Sequence, residues 1–231
     1  MVRAVWAGLA TAAMVCVSAA GGTAREPQRS GVTWRFDNLQ RVGGHALTVA
    51  GKPSAIDTEI GPAIKFDGTG DGLFLDVNPL EGLTRFTLEI VFNPAPDGGE
   101  EQRFLHVEEE ASGNRVLIEL RRHADTRWTL DTYLRSGEVG LTLLDHRRTH
   151  TAGSWYVAAL TYDGKTMSHF VNGRRELSGA TGFAPLGRGR TSIGVRQNRV
   201  SWFKGLIHSV RVTPHTLPPG RLLAVPRKSA S

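Results

Sequence analysis

The chain has 231 residues, of which 40% are hydrophobic and 22% are charged, and its formal net charge is +6. This is the composition of a globular protein, and ~200 residues are enough to bury a hydrophobic core without the help of disulfides. The 27 glycines suit an architecture with many turns.

The first 24 residues have the pattern of a secretory signal peptide. A short basic start, Met1-Val2-Arg3, precedes an uncharged apolar stretch from Val5 to Ala20, and small residues lead to a cleavage position after Ala24 or Ala20. The stretch is shorter than the ~20 residues that a membrane-spanning helix requires, so we expect no transmembrane segment in the mature protein. The single cysteine, Cys16, would leave with the signal. The sequence therefore predicts a secreted or periplasmic protein without disulfides.

Short segments of β-strand character follow one another from Val32 onward, with turn residues between them. Asp163-Gly164 and Asn172-Gly173 stand between apolar alternating segments and predict tight hairpins of type I′, in which both central residues have positive φ. The predicted strands are Val32–Phe36, Ala46–Ala50, Ala63–Phe66, Leu73–Val77, Phe86–Phe92, Phe104–Val107, Val116–Leu120, Trp128–Leu134, Val139–Leu144, the two of the Trp155–Gly173 hairpins, Thr191–Val195 and Gly205–Val212.

This series predicts one all-β antiparallel domain, because we find no convincing amphipathic helix, internal repeat or linker. We place the domain at residues 25–213, with residues 214–231 forming a closing turn and a basic tail.

Four stretches resemble the LamG-like jelly-roll domains of the concanavalin A-like lectin/glucanase superfamily. Gly61–Asp71 resembles the pattern G-x-A-x-x-F-D-G-x-x-D, and Phe86–Pro94 resembles F-T-x-E-x-W-x-x-P. Trp155–Gly173 resembles W-x-x-v-a-x-T-Y-D-G followed by l-Y-V-N-G. Ile193–Val212 resembles I-G followed by F-x-G-x-I-D-e-V-R-I-Y. The resemblance implies a jelly-roll sandwich of two antiparallel sheets, with one concave outer face. It implies much less about function, because this fold carries lectins, glycosidases, lyases and structural modules.

The loop Asp67-Gly68-Thr69-Gly70-Asp71-Gly72 makes Asp67 and Asp71 candidate ligands for a calcium ion, the only cofactor that the sequence suggests. The alternative is a turn in which both carboxylates accept hydrogen bonds from backbone N–H groups. Many members of the family have an acidic pair where this chain has His208-Ser209, which weakens the resemblance to a calcium site.

No recognised catalytic motif is present in the sequence. Glycosidases of the superfamily carry E-x-D-x-x-E on one strand, so a hydrolase here would need Glu89, Glu119 and Asp131 to converge from different strands. The segment Arg115–Arg121 resembles the R-x-E-L-R strand of alginate lyases, but its first arginine stands four positions before the glutamate instead of two. The lyase strand Y-x-K-x-G-x-Y, with its proton-transferring tyrosine, is missing. We assign no catalytic residue.

A candidate recognition surface is indicated by Gln102–His106 and Gly194–Arg199, which are dense in forked hydrogen-bond donors and are followed by Trp202. Planar polar groups beside an aromatic ring suit sugars and acidic sugars. We therefore predict a ligand-binding cluster on an outer sheet face, made of Arg103, His106, Glu119, Arg196 and Asn198.

These observations predict a secreted, non-catalytic module that binds carbohydrate, with a polysaccharide or a cell-envelope glycan as its partner. Two alternatives stay open: an adhesion or scaffolding module that binds protein, and a polysaccharide lyase or glycoside hydrolase with unrecognised catalytic residues. Because the protein is expected to be exported, we expect no nucleic-acid partner.

Overall fold

The computed structural model describes residues 30–227. Its strands are β1 (Val32–Arg35), β2 (Arg41–Val42), β3 (His45–Ala46), β4 (Thr48–Ala50), β5 (Ser54–Thr58), β6 (Gly61–Asp67), β7 (Gly72–Leu75), β8 (Phe86–Pro94), β9 (Glu101–Glu109), β10 (Arg115–Arg122), β11 (Arg127–Ser136), β12 (Val139–Thr151), β13 (Tyr156–Tyr162), β14 (Thr166–Val171), β15 (Arg174–Ala180), β16 (Gly189–Ile193) and β17 (Lys204–Thr213). The predicted signal peptide and residues 228–231 lie outside the described range. Within that range, no helix is long and apolar enough to cross a membrane.

The strands form two antiparallel sheets. The eight-stranded sheet has the order β15-β14-β13-β8-β17-β6-β5, with β1 also paired to β17. The seven-stranded sheet has the order β12-β11-β10-β9-β16-β7-β4, and β2 and β3 form a separate ribbon. The predicted all-β jelly-roll sandwich is confirmed.

One face of each sheet is buried in a shared hydrophobic core. The core residues of β8 are Phe86, Leu88, Ile90 and Phe92, which follow the period of two that a half-buried strand requires. Phe92 stacks on Phe104 of β9 in the other sheet, with ring centroids 4.5 Å apart. Such aromatic contacts across the sandwich hold the two sheets face to face.

The two hairpins at the centre of the chain differ in their turns. Asn172 and Gly173 have φ values of 49° and 77°, so the predicted type I′ geometry is confirmed between β14 and β15. The connection between β13 and β14 is longer, because it runs from Asp163 to Lys165, and only Gly164 in it has a positive φ, of 99°. The type I′ prediction was therefore wrong at that turn.

Strands at the sheet edges were the hardest to predict. β5 and β15 are the two edges of the eight-stranded sheet, and neither was predicted from the sequence. β12, an edge of the seven-stranded sheet, runs to Thr151, whereas the pattern predicted a strand only as far as Leu144. Edge strands bury little of their surface, so their sequences are polar and lack a clear alternation.

The C-terminal segment lies across the outer face of the eight-stranded sheet. Leu217 N donates to Thr87 Oγ1 over 2.9 Å, and Leu223 N donates to Glu89 Oε1 over 2.6 Å. Thr87 and Glu89 alternate with the core residues of β8, so they mark the outer face. This segment therefore covers part of that face.

Candidate functional site

The outer face of the seven-stranded sheet carries most of the polar residues that the sequence singles out. In β10, the even-numbered residues from Val116 to Leu120 are buried in the core. The residues between and beside them therefore lie on the outer face: Arg115, Leu117, Glu119 and Arg121.

A β-bulge in β9 brings Arg103 and His106 onto this face although they are three positions apart. Arg103 pairs with Glu119 of β10, and Phe104 has no partner there. Phe104 and its neighbour Leu105 both enter the core. Strict alternation would have put residues three apart on opposite faces, so the extra residue of the bulge decides which side chains can meet.

Ion pairs link three strands across this face. Arg103 Nε lies 2.9 Å from Glu119 Oε2, and Arg103 Nη1 lies 2.9 Å from Glu101 Oε2. Arg121 donates from Nε to Asp131 Oδ2 over 2.7 Å and also contacts Glu101. Glu119 and Asp131 are directly opposite each other on β10 and β11, and the charges of the two arginines partly offset the repulsion between these carboxyl groups.

Both central carboxyl groups are buried, and burial changes their ionisation. Burial, with the neighbouring charge of Asp131, raises the pKa of Glu119 to about 7, against the opposing charges of Arg103 and Arg121. Burial also raises the pKa of Asp131, although the hydrogen bond from Arg121 opposes this change. Glu119 is therefore poised to gain or lose a proton near neutral pH.

Two further arginines on this face have no carboxylate partner. Arg115 donates from Nη1 to Gly113 O over 3.0 Å, but its buried Nε has no hydrogen-bond partner. Its guanidinium lies over the Tyr133 ring, 5.2 Å from the centroid. Neither Arg115 nor Arg196 forms an ion pair with any residue in the range 30–227. Burial and the positive charge of Arg196 lower the pKa of Arg115.

These side chains line an open groove. Its central cavity, of about 180 Å³, is lined by Arg103, Arg115, Glu119, Arg121, Tyr133 and Arg196, among others. A second cavity, of about 390 Å³, shares Arg121 with the first and continues past His123 and His146. We call the two cavities together the outer-face groove.

The loop between β16 and β17 places Arg196 over the groove. Gln197 N donates to His106 Nδ1 over 3.0 Å, and Arg103 N donates to Ser201 O over 2.9 Å. Arg103 Nη1 also donates to Ser201 Oγ. Arg199 N donates to Arg196 O over 2.8 Å and closes a turn within the loop. The loop is thus fastened to β9 on both sides of its tip.

The structure brings together only part of the predicted ligand-binding cluster. Arg103, Glu119 and Arg196 line the same cavity. His106 is completely buried, and its burial, with the nearby charges of Arg196 and Arg115, lowers its pKa to about 3, so it is a neutral acceptor that holds the loop. Asn198 is exposed at the loop tip and does not line the cavity.

The aromatic ring beside the groove is Tyr133, whereas the sequence pointed to Trp202. Trp202 lies beside Gly72 of β7, because a Cβ added at Gly72 would come within 3.3 Å of the Trp202 ring. Tyr133 lies over Gly140 of β12, because a Cβ added at Gly140 would come within 2.7 Å of the Tyr133 hydroxyl oxygen. The glycine thus makes room for the tyrosine.

The predicted cluster left out four residues of β10 and β11 that line the central cavity with charged or aromatic side chains: Arg115, Arg121, Asp131 and Tyr133. The signal that could have found them is the period of two along β10 and β11, which places all four on the face of Glu119.

Glu89 is not part of the groove. It lies on the outer face of the eight-stranded sheet, completely buried, with Arg211 Nε 2.5 Å from its Oε2. The three acids Glu89, Glu119 and Asp131 therefore do not converge, because β8 belongs to the other sheet.

Asp67 and Asp71 direct their carboxylates at the backbone of their own loop. Asp67 Oδ1 accepts hydrogen bonds from the N–H groups of Thr69, Gly70 and Asp71, over 2.8, 2.9 and 3.1 Å. Asp71 accepts from Asp67 N over 3.0 Å and from Lys52 N over 2.6 Å. Partial burial by itself would raise the pKa of Asp67, but these hydrogen bonds outweigh it, and the pKa is lowered. The geometry matches the backbone-bonded turn.

No metal site stands out elsewhere in the part of the chain that the structure describes. Residues 30–227 contain no group of three or more His, Cys, Asp and Glu side chains that could hold a metal ion.

Solved structures with the same fold include carbohydrate-binding proteins. Domain 4 of AbnA, an extracellular GH43 arabinanase of Geobacillus stearothermophilus solved with arabinotriose, is 18% identical with a TM-score of 0.64, and the match covers 84% of this chain and 97% of that domain. The binding domain of botulinum neurotoxin DC, solved with SialylT, is 9% identical with a TM-score of 0.59, over 83% of this chain and 49% of the toxin domain. The heptameric SAP-like pentraxin of Limulus polyphemus is 14% identical with a TM-score of 0.55, over 68% and 77%.

Sequence comparison identifies the family. No curated protein sequence matches the chain. Residues 67–221 match the sequence profile of a family described as the concanavalin A-like lectin/glucanases superfamily, which covers more than half of the chain. The low identities to the solved structures support the fold alone. The chain is a member of the concanavalin A-like lectin/glucanase superfamily.

Proposed function

We propose that this protein is a secreted, non-catalytic module that binds carbohydrate in the outer-face groove. The observation that carries the proposal is the central cavity, where Arg115 lies over the Tyr133 ring, Arg196 lines the same space, and neither arginine has a carboxylate partner in the described part of the chain. Forked donors beside an aromatic ring are suited to the hydroxyl groups and apolar face of a sugar.

The shape of the site supports a chain-like ligand. The central cavity and the second one have Arg121 in common, and their linings come from neighbouring strands of the seven-stranded sheet. A linear glycan could place one sugar ring in the central cavity and its neighbours along the groove. The outer face of the other sheet has a larger cavity, of about 610 Å³, but no arginine within residues 30–227 lines it.

The structural neighbours support this proposal. The arabinanase domain was solved with arabinotriose and the toxin domain with SialylT, so this fold holds sugars in other proteins. The apolar N-terminal stretch with its small-residue cleavage position supports export, which would bring the module to polysaccharides or cell-envelope glycans.

A non-catalytic role fits the state of the two central acids. Glu119 can exchange a proton near neutral pH, but Arg121 holds Asp131 over 2.7 Å, so the second acid is engaged within the protein. A glycosidase requires one acid free to donate a proton and one free to attack or to activate water.

The test is a glycan array probed with the mature protein, followed by titration of Tyr133→Ala with the best ligand. We expect binding to at least one glycan and roughly tenfold weaker binding for the variant, whereas Tyr133→Phe, which keeps the ring, should retain most of the affinity. Absence of binding to every sugar would overturn the proposal. Binding that is unchanged in both Tyr133→Ala and Arg196→Gln would place the site elsewhere.

A further inference from the structure

The outer-face groove contains more positive than negative charge. The central cavity is lined by four arginines and two acids, and Arg103 and Arg121 form the ion pairs with Glu101, Glu119 and Asp131 described above. Arg115 and Arg196 also line the central cavity, and neither forms an ion pair with any described residue. The unbalanced charge is therefore concentrated where the two arginines meet.

Holding Arg115 in this position has an energetic cost. Its Nε is buried without a hydrogen-bond partner, and the neighbouring Arg196 has the same charge. A buried donor without a partner and two like charges in one cavity both destabilise the empty site. An anion between the two guanidinium groups would relieve both effects, since carboxylate and sulfate oxygens accept forked hydrogen bonds from arginine.

Other arginines nearby do not offer the same free charge. Arg199, on the same loop as Arg196, lies over the Phe74 ring, 5.2 Å from its centroid, and does not line the central cavity. Arg103 is held by Glu119 and by Ser201. Arg115 and Arg196 are thus distinguished from their neighbours because they line the central cavity without a carboxylate partner among the described residues.

We propose that the groove binds an acidic sugar residue of a polysaccharide, with the carboxylate or sulfate group of that sugar held between Arg115 and Arg196 and its ring beside Tyr133. This inference rests on the proposed carbohydrate-binding function and names the class of sugar. The anionic group supplies the charge that the cavity lacks, and the adjoining cavity beyond Arg121 takes the next sugars of the chain.

The experiment compares polymers that differ only in charge. Polygalacturonate, alginate and hyaluronan are titrated against the full mature protein beside their carboxyl-reduced forms, and heparin represents the sulfated sugars. We expect at least one carboxylated polymer to bind tenfold or more tightly than its reduced form. If heparin binds in their place and its desulfated form, which keeps its carboxylates, does not, sulfate is the anion. Binding should weaken with added salt.

Variants locate the charge that is responsible. Arg115→Gln and Arg196→Gln should each weaken binding of the anionic polymer roughly tenfold and reduce its salt dependence. Arg174→Gln, which removes an exposed arginine of β15 in the other sheet, should leave binding unchanged, and circular dichroism confirms that each variant is folded.

The possible outcomes distinguish the acidic-sugar assignment from the more general proposal that the groove binds carbohydrate. Equal binding to charged and reduced polymers, or binding to neutral glycans of the array alone, would overturn the acidic-sugar assignment and leave the carbohydrate-binding proposal standing. An equal loss of binding in Arg174→Gln would also overturn it, since the effect would then be one of net charge. No binding to any sugar would overturn both.

Discussion

Glu119 is a buried carboxyl group whose surroundings determine its charge near neutral pH. Arg103 contacts it, Asp131 is opposite it, and Arg121 and Arg196 lie in the same cavity. Burial and Asp131 favour the protonated form, while the arginines favour the ionised form, and the resulting pKa is about 7. One proton therefore changes the net charge of the groove within the physiological range.

This ionisation predicts a pH dependence of binding. Below pH 7, Glu119 is protonated and the groove is more positive, so an anionic glycan should bind roughly three- to tenfold more tightly than above pH 7. Glu119→Gln should bind at all pH values as the wild type does below pH 7. Isothermal titration calorimetry on both sides of pH 7 measures the effect. The control is Glu138→Gln, which removes an exposed acid in the turn after β11 and should keep the wild-type dependence of binding on pH. If Glu119→Gln also kept that dependence, Glu119 would not be its cause.

The elements that position the groove depend on local backbone features. The bulge at Phe104 changes the alternation of β9, and the loop after β16 is fastened to β9 through His106 and Ser201. The hairpin between β14 and β15 depends on Asn172 in the left-handed region, where its Oδ1 also accepts a hydrogen bond from Val157 N over 2.9 Å. The amide thus supports both the turn and the neighbouring strand.

Substitutions at Asn172 separate these two contributions. Asn172→Ala loses the hydrogen bond to Val157 N. It also places at positive φ a residue whose side chain makes no hydrogen bond to offset the unfavourable backbone conformation. We therefore expect a loss of about 1–2 kcal/mol in the free energy of unfolding. Asn172→Gly tolerates the positive φ but lacks the amide, so it should recover part of that loss. Urea unfolding monitored by fluorescence measures both. Equal losses in the two variants would mean that backbone strain contributes nothing at this turn.

At the scale of the whole molecule, the sandwich interface is apolar apart from a few buried polar groups. His169 of β14 and Thr132 of β11 meet across it, with 3.0 Å between Nδ1 and Oγ1. Both residues are buried. Burial, with the charge of His150, lowers the pKa of His169 to about 4, although Glu176 opposes the change. A neutral histidine therefore joins the two sheets.

This link predicts that acid weakens the sandwich. Between pH 6.5 and pH 4 the unfolded chain takes up a proton at His169 that the folded protein does not, so stability falls as the pH is lowered through this range. At about 1.4 kcal/mol for each pKa unit, the loss at this residue reaches about 3 kcal/mol. His169→Leu should show a correspondingly shallower decline of melting temperature, measured by calorimetry. In the control His146→Gln, which changes an exposed histidine, the melting temperature should fall with pH as it does in the wild type. If the melting temperatures of all three proteins fell in parallel, His169 would be excluded as the cause.

The sequence was sufficient for the fold class but only for part of the site. Alternating residues in β8 and β10 and the turn at Asn172-Gly173 depend on neighbours along the chain, and they predicted an antiparallel sandwich correctly. The edge strands β5 and β15 escaped prediction because they bury too little apolar surface to show a pattern. Three residues of the predicted cluster line one cavity, whereas His106 proved to be buried beneath the loop.

What the sequence by itself determined is which positions are polar and which are apolar along each strand, since this follows from a period of two between adjacent residues. What only the tertiary structure decided is which polar side chains meet. Glu89 and Glu119 follow the same local rule and lie on different sheets, and Arg196 reaches the groove because its loop is bonded to β9. The physical reason is that strand order, bulges and loop attachment depend on contacts between residues far apart in the chain.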